Sequence, residues 1–202
     1  RLRTILWLAV GTGLWFVPSS AARCFLVLPA AGLIFTMSFF RDPHRVIPAE
    51  PGLLVSPADG TVTDITDVQE GEFLNVPCRK IGIFLSVFNV HVNRSPCEGS
   101  VKAVKYRPGK FLDARDPRCA AENESNTIHV GDVVVKQIAG LIARRIVCEA
   151  QPGTTLARGQ RFGMIKFGSR TEIYIRKDQV QEIRVKLKDK VKGGETVIAR
   201  VR

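Results

Sequence analysis

Asn126-Thr127-Ile128-His129-Val130-Gly131-Asp132-Val133-Val134-Val135-Lys136-Gln137-Ile138 reads as strand, turn, strand. β-Branched residues crowd Asn126–Val130 and Val133–Ile138, and Gly131-Asp132 between them is a tight-turn pair. The same grammar extends in both directions. Upstream it predicts strands at Leu53–Val55, Thr61–Ile65, Arg79–Phe84 and Val101–Tyr106, with a turn at Pro57-Ala58-Asp59-Gly60. Downstream it predicts Ile146–Val147, Met164–Lys166, Glu172–Ile175, Glu182–Val185 and Thr196–Arg200. Ala139–Arg145 reads either as a short helix or as a strand continuing through a buried face. Short strands between frequent turns favour a mainly β domain, a compact barrel or sandwich, over alternating β and α units. A faint echo agrees. Leu156-Ala157-Arg158-Gly159-Gln160 and Val191-Lys192-Gly193-Gly194-Glu195 each place Gly three positions after an apolar residue, then enter a strand. That spacing suits barrel-sandwich folds that carry biotinyl or lipoyl groups, but no exposed Met-Lys-Met attachment lysine accompanies it.

The 202 residues suffice for one core, or one domain with a short appendage. Five cysteines without a C-x-x-C pair and three histidines fit neither a disulfide framework nor a metal cluster, so no metal is expected. Phosphate-loop and dinucleotide glycine motifs are absent as well. Lys and Arg outnumber Asp and Glu by 30 to 19, a net charge of +11. That balance suits an anionic membrane surface and an anionic substrate. No helix-turn-helix, finger or aromatic RNA-binding signature accompanies it, so nucleic acid is not an expected partner.

Residues 1–40 predict a membrane element. Thr4–Ala22 and Cys24–Phe40 are uncharged runs of 19 and 17 residues, split by Pro18-Ser19-Ser20 and Arg23. Each lies near the lower limit for a spanning helix. Trp7 and Trp15 suit the headgroup level, and Arg1, Arg3, Arg41 and Arg45 flank the pair on one side. A hydrophobic helical hairpin with both ends in the cytoplasm satisfies this pattern, as does a shallow re-entrant pair. A secretory signal ending near Ser20-Ala21-Ala22, or two buried helices, are the competing readings. A Pro-rich connector, Arg41–Gly52, leads into the domain of residues 41–202.

Three side chains with complementary chemistry lie far apart: Asp59, His91 and Ser169. An acid can orient an imidazole, which can take a hydroxyl proton. Singly, each has a plainer reading: Asp59 as a turn residue, His91 as a strand histidine, Ser169 as a turn after Gly168.

Their surroundings resemble the phosphatidylserine decarboxylase family, especially its short bacterial and archaeal branch. The resemblance rests on Phe39-Phe40-Arg41-Asp42-Pro43, Ser56-Pro57-Ala58-Asp59-Gly60 and Phe88-Asn89-Val90-His91-Val92-Asn93-Arg94. Tyr106-Arg107-Pro108-Gly109-Lys110-Phe111, Glu122-Asn123-Glu124-Ser125-Asn126 and Phe167-Gly168-Ser169-Arg170 continue it in order. It implies a proenzyme that cuts itself between Gly168 and Ser169, with His91 as base and Asp59 supporting it. Ser169 would become a pyruvoyl group, the implied cofactor in place of pyridoxal phosphate. That group would form a Schiff base with phosphatidylserine and release carbon dioxide to give phosphatidylethanolamine. Large and small chains would stay together, and the resemblance suggests a homodimer on the cytoplasmic face of the cell membrane.

Other expectations stay open beside it. An ether-linked archaetidylserine would satisfy the same headgroup chemistry. A serine hydrolase would use the same triad, although Ser169 lacks a G-x-S-x-G elbow. A non-enzymatic lipid-binding domain would need none of it. Longer relatives carry a second histidine where this chain has Phe88, so His91, water or His129 would return the final proton. Arg107–Asn126 reads as a functional loop, with Lys110, Arg115 and Arg118 as phosphate or membrane contacts. Arg170 would support either a carboxylate or a structural acid.

Overall fold

The computed structural model describes residues 20–141, 145–166 and 168–202, with side chains from residue 27 onward. The first half of the expected hairpin, with Trp7 and Trp15, lies outside them. The chain divides into two compact units at Arg41/Asp42. In the first, α1 (Ser20–Phe39) is a helix with Pro29 inside it. From residue 27 it exposes Val27, Leu28, Leu33, Ile34 and Met37, and its end carries a Phe35–Phe39–Phe40 aromatic cluster. No helix among the described residues is long and apolar enough to cross a membrane.

The second unit is mainly β. Its strands are β1 (Leu53–Val55), β2 (Gly60–Glu70), β3 (Val76–Leu85), β4 (Val92–Arg94), β5 (Gly99–Arg107), β6 (Ser125–Val130) and β7 (Val133–Ile138). They continue as β8 (Ile146–Cys148), β9 (Thr155–Leu156), β10 (Arg161–Ile165), β11 (Ser169–Arg176), β12 (Val180–Ile183), β13 (Lys190–Val191) and β14 (Val197–Val201). One short helix, α2 (Cys119–Glu122), interrupts the long loop after β5. Eight strands in the order β13-β2-β3-β11-β7-β6-β5-β9 form an antiparallel sheet curled into a half-barrel. Two three-stranded sheets, β1-β14-β12 and β4-β10-β8, complete the unit.

The hairpin expected at Asn126–Ile138 is β6-β7, with Val130 opposite Val133 across the Gly131-Asp132 turn. β11 lies at the centre of the large sheet. It pairs with β3 from Ser169↔Leu85 to Arg176↔Cys78, and with β7 from Arg170↔Ile138 to Ile175↔Val133. Ile173 and Ile175 enter the core with Ile81, Ile83, Val135 and Phe162. Strand periodicity places Ser169 and Thr171 on that same face, and Arg170, Glu172 and Tyr174 on the other.

Three differences from expectation matter. β11 begins at Ser169 rather than Glu172, because the charged residues that disguise its start are paired on its outer face. Of the stretch Ala139–Arg145, the described residues Ala139–Leu141 and Arg145 are irregular chain, and 142–144 lie outside the described residues. The Leu156/Val191 echo is also broader than its glycines suggest. Ser56-Pro57-Ala58-Asp59-Gly60 has a counterpart in Ser95-Pro96-Cys97-Glu98-Gly99. Each serine hydroxyl donates to the carbonyl two residues on, at 2.7 Å. The turns clasp reciprocally: Arg94 N–H donates to Pro57 O (2.9 Å) and Val55 N–H to Pro96 O (3.0 Å). Gly194 and Gly159, with φ of 81° and 74°, donate to the Ser56 and Ser95 carbonyls.

Candidate active site

The site is built where the chain between β10 and β11 wraps His91. Ile165 N–H donates to the His91 carbonyl (3.2 Å), and three residues later Gly168 N–H donates to the His91 ring at Nε2 (3.2 Å). Nδ1 lies 2.9 Å from the Asn89 carbonyl. A carbonyl only accepts and an amide N–H only donates, so these partners assign the proton to Nδ1 and leave the basic lone pair on Nε2. The Asn89 carbonyl is itself fixed. Asn89 Oδ1 accepts from the Ser86 amide and hydroxyl, both at 2.9 Å, and Asn89 N–H returns a bond to the Ser86 carbonyl. His91 is buried.

Gly168 takes a left-handed φ of 68°, which a side chain resists, and turns the chain into β11. The next residue, Ser169, is 0% exposed, and its Oγ has no hydrogen-bond partner among the described residues. An unsatisfied buried hydroxyl costs about 1–3 kcal/mol, so a sequence retains one where chemistry uses it. A lone-pair nitrogen beside Gly168, followed by an unengaged hydroxyl, is the arrangement needed for nucleophilic attack within the backbone.

Asp59 joins this centre indirectly. Its carboxylate accepts from Arg45 Nη2 through both oxygens, at 3.0 and 2.9 Å, and from Gly193 N–H at 2.7 Å. Arg45 also reaches Glu195 at 3.4 Å. The structure thus brings His91, Gly168 and Ser169 together and gives the Asp59 oxygens to other donors. The side chain of Arg45, expected to flank the membrane segment, is buried against Asp59. The link from the Asp59 turn to His91 runs through the Pro57 carbonyl, which accepts from Arg94 N–H and from Asn93 Nδ2 (3.4 Å) on β4.

A buried amide ladder supports the same place. Asn126 Nδ2 donates to Gln137 Oε1 (3.1 Å), Gln137 Nε2 to Asn93 Oδ1 (2.9 Å), and Asn93 Nδ2 to Thr171 Oγ1 (3.2 Å). Thr171 shares the face of β11 that bears Ser169. Asn126 belongs to a stretch singled out in the sequence; Gln137 carried no signal beyond a polar residue inside an apolar strand.

A cleft of about 410 Å³ opens on Gly168. Phe84, Ser86 and Val87 form one wall, Asp113, Ala114 and Arg115 another, with Leu141 at the side. Phe88, 76% exposed, follows Val87. Arg115 hydrogen-bonds Asp113 and holds that carboxyl down at about 2. Lys110 and Arg118 are exposed and paired with Glu122 and Asp116. Arg170 lies on the opposite face of β11, donating to Glu172 (2.9 Å), Thr63 (2.9 Å) and Asp64. Burial works to raise the Asp64 carboxyl, but Arg170 and Lys80 outweigh it and hold it below the ordinary range. The acids Arg170 supports are structural. His129 lies level with Tyr174 through Val134, five positions along β11 from Ser169, about 17 Å of strand. Burial and then Lys102 lower its pKa.

Comparison with known proteins places this geometry. The chain matches the family described as phosphatidylserine decarboxylase over residues 33–199. A phosphatidylserine decarboxylase proenzyme of Carboxydothermus hydrogenoformans is 49% identical over 173 residues, covering 84% of this chain and 81% of the relative. The proenzyme of Syntrophus aciditrophicus is 46% identical over 175 residues, with 84% and 81% covered. That of Desulfotalea psychrophila is 41% identical over 192 residues, covering 91% and 88%. The match runs from α1 into β14 and takes in the wrapped histidine, the left-handed glycine and the buried serine: the chain belongs to the phosphatidylserine decarboxylase family.

Proposed function

We propose that this chain is the proenzyme of a pyruvoyl-dependent phosphatidylserine decarboxylase, that it cuts itself between Gly168 and Ser169, and that Ser169 becomes the pyruvoyl group. The observation that carries the assignment to these residues is the buried, unpartnered Ser169 hydroxyl directly after a glycine whose amide is held by His91 Nε2.

Ser169 Oγ gives its proton to His91 Nε2 and bonds to the Gly168 carbonyl carbon. The C–N bond breaks, the proton passes to the Ser169 nitrogen, and an ester replaces the amide. Loss of the Ser169 α-proton expels the Gly168 carboxylate and leaves dehydroalanine. Its imine tautomer takes up water and releases ammonia. The large chain then ends at Gly168, and the small chain, residues 169–202, begins with the new group. Asp59 acts on this sequence as a charged support, through the Arg45 pair and the turn that bonds to β4.

The pyruvoyl group supplies an electrophilic carbonyl that captures a primary amine and accepts the electrons left as carbon dioxide departs. The residues around it fit that role: the cleft on Gly168 gives a headgroup a route to residue 169, and the apolar Phe84, Val87 and Leu141 line it. His91, whose ring accepts from Gly168 N–H beside the new amino terminus, is assigned the return of the proton. Phe88 and His129 are not, for want of a proton in one case and of proximity in the other.

The lipid substrate also gives α1 a purpose. Its exposed Leu28, Leu33, Ile34 and Met37 need apolar cover, and a bilayer provides it. The net charge of +11 favours anionic lipid. We assign residues 1–40 to a hydrophobic hairpin on the cytoplasmic side of the cell membrane, and the working form to a homodimer.

Intact-mass measurement of the purified protein tests the central claim. Two chains are expected, the smaller one blocked at its amino end and lighter by one ammonia than a fragment beginning with serine. Ser169→Ala should remain a single inactive chain, and His91→Ala should slow cleavage. A continuous polypeptide that releases carbon dioxide from phosphatidylserine would overturn the reading. Parallel assays on diacyl and ether-linked serine lipids separate the two substrate backbones.

A further inference from the structure

We infer that Gly140, held in place by Asn123, is the positioning residue for the carbonyl of the self-cleaved bond. The inference rests on the reading of Gly168–Ser169 given above and adds a second wall to it. His91 holds Gly168 by its N–H. The Gly168 carbonyl, the group that becomes an oxyanion on attack, faces Gly140. A Cβ built on Gly140 would lie 2.2 Å from the Gly168 oxygen and 3.1 Å from its carbon. Contacts under 3 Å to backbone atoms are essentially never occupied, so a side chain there forces the carbonyl to move. Conformation does not require glycine at this position: Gly140 is not among the residues with positive φ. The position is kept bare by the neighbouring oxygen.

Gly140 stays in that place because Asn123 clamps the residue before it. The Asn123 side chain is buried and its hydrogen-bonding capacity is used on both sides of the cleft. Nδ2 donates to the Ala139 carbonyl (2.8 Å) and the Leu112 carbonyl (2.9 Å), while Oδ1 accepts from Leu112 N–H (2.8 Å). Ala139 N–H is tied to the Glu124 carbonyl at 2.9 Å. One amide therefore joins the chain entering the Asp113–Arg115 wall to the chain that backs the scissile carbonyl. An attack geometry displaced by about 1 Å typically costs 100-fold in rate, so the bare Cα and its clamp act on the acyl shift without touching the proton.

The test follows precursor cleavage in full-length protein, by band pattern and intact mass. Wild type, S169A and H91A serve as references. Gly140→Ala is expected to fold, with a melting temperature close to that of uncleaved S169A, and to process about 100-fold more slowly. The pH profile of its residual cleavage should keep the wild-type shape, since His91 is untouched; a merely collapsed pocket would shift it. Hydroxylamine cuts an ester into a hydroxamate at Gly168 and a free serine amino terminus. The G140A precursor should resist it, because the ester does not accumulate. Asn123→Asp keeps the shape and the Leu112 N–H bond but loses both donated bonds, and should slow cleavage at least tenfold; it decides the matter if G140A fails to fold. Cleavage of folded G140A or N123D at the wild-type rate overturns the inference, as does hydroxylamine-sensitive G140A precursor, which would place the block after the acyl shift. Absence of cleavage in wild type would instead overturn the underlying reading of Gly168–Ser169.

Discussion

At the scale of single residues, the proposed site leaves the Ser169 hydroxyl unengaged and fixes the groups around it. Ser169 Oγ has no partner among the described residues, and His91 Nε2 accepts from Gly168 N–H. Asp59 is the opposite case, with both oxygens bonded. Asp59→Asn keeps an acceptor for Gly193 but loses the charge opposite Arg45; precursor cleavage should slow at least tenfold, and unchanged band conversion on a gel would remove Asp59 from the mechanism. Across the sheet, Asp64 makes a separate stability prediction. Its folded pKa lies below 3.8, so its contribution is fully present above that value and is lost as pH falls through the folded value. Asp64→Asn should therefore cost about 1.5–3 kcal/mol at neutral pH, with the gap to wild type closing in acid. Urea melts at pH 7 and pH 3 check both sign and window.

At the scale of elements, legibility followed the physics of each stretch. The β6-β7 hairpin was readable because its β-branched runs and Gly131-Asp132 turn agree. β4, β9 and β13 are two or three residues long and carry no period to detect. The start of β11 was hidden, since Gly168-Ser169-Arg170 reads as a turn until Asp64, Thr63 and Glu172 are seen to meet Arg170. Ser169 and His91 were legible through their flanking motifs. The pairing of Arg45 with Asp59 carried no signal in the sequence, and Gly140 had no side chain to announce it. Asn123 stood in a recognisable stretch, but only the bond to Ala139, 16 positions away, reveals what it holds. α1 offers its own test. Replacing Leu28, Leu33 and Ile34 together by serine should lower partition onto vesicles of anionic phospholipid about tenfold or more while leaving self-cleavage intact. Equal binding by the variant in a sedimentation assay would assign α1 another cover.

At the scale of the whole molecule, the proposed cleavage would cut the chain at the start of the central strand of the large sheet. β11 pairs with β3 and β7, β14 with β1, and β13 with β2, so three of the four strands after the cut are bonded to strands before it. The two products should co-migrate in gel filtration and part only in denaturant. After dilution from denaturant, recovery of activity should drop as the protein concentration is lowered, because a one-chain folding reaction has become a two-chain association. Early separation of the chains in native buffer would contradict this arrangement. Embedding the new terminus in the middle of the sheet also makes each finished enzyme a closed pair. A small chain added from outside finds its slot already filled, so a defective copy cannot be repaired by complementation in trans. Replacement of worn catalyst then depends on synthesis and disposal of entire molecules.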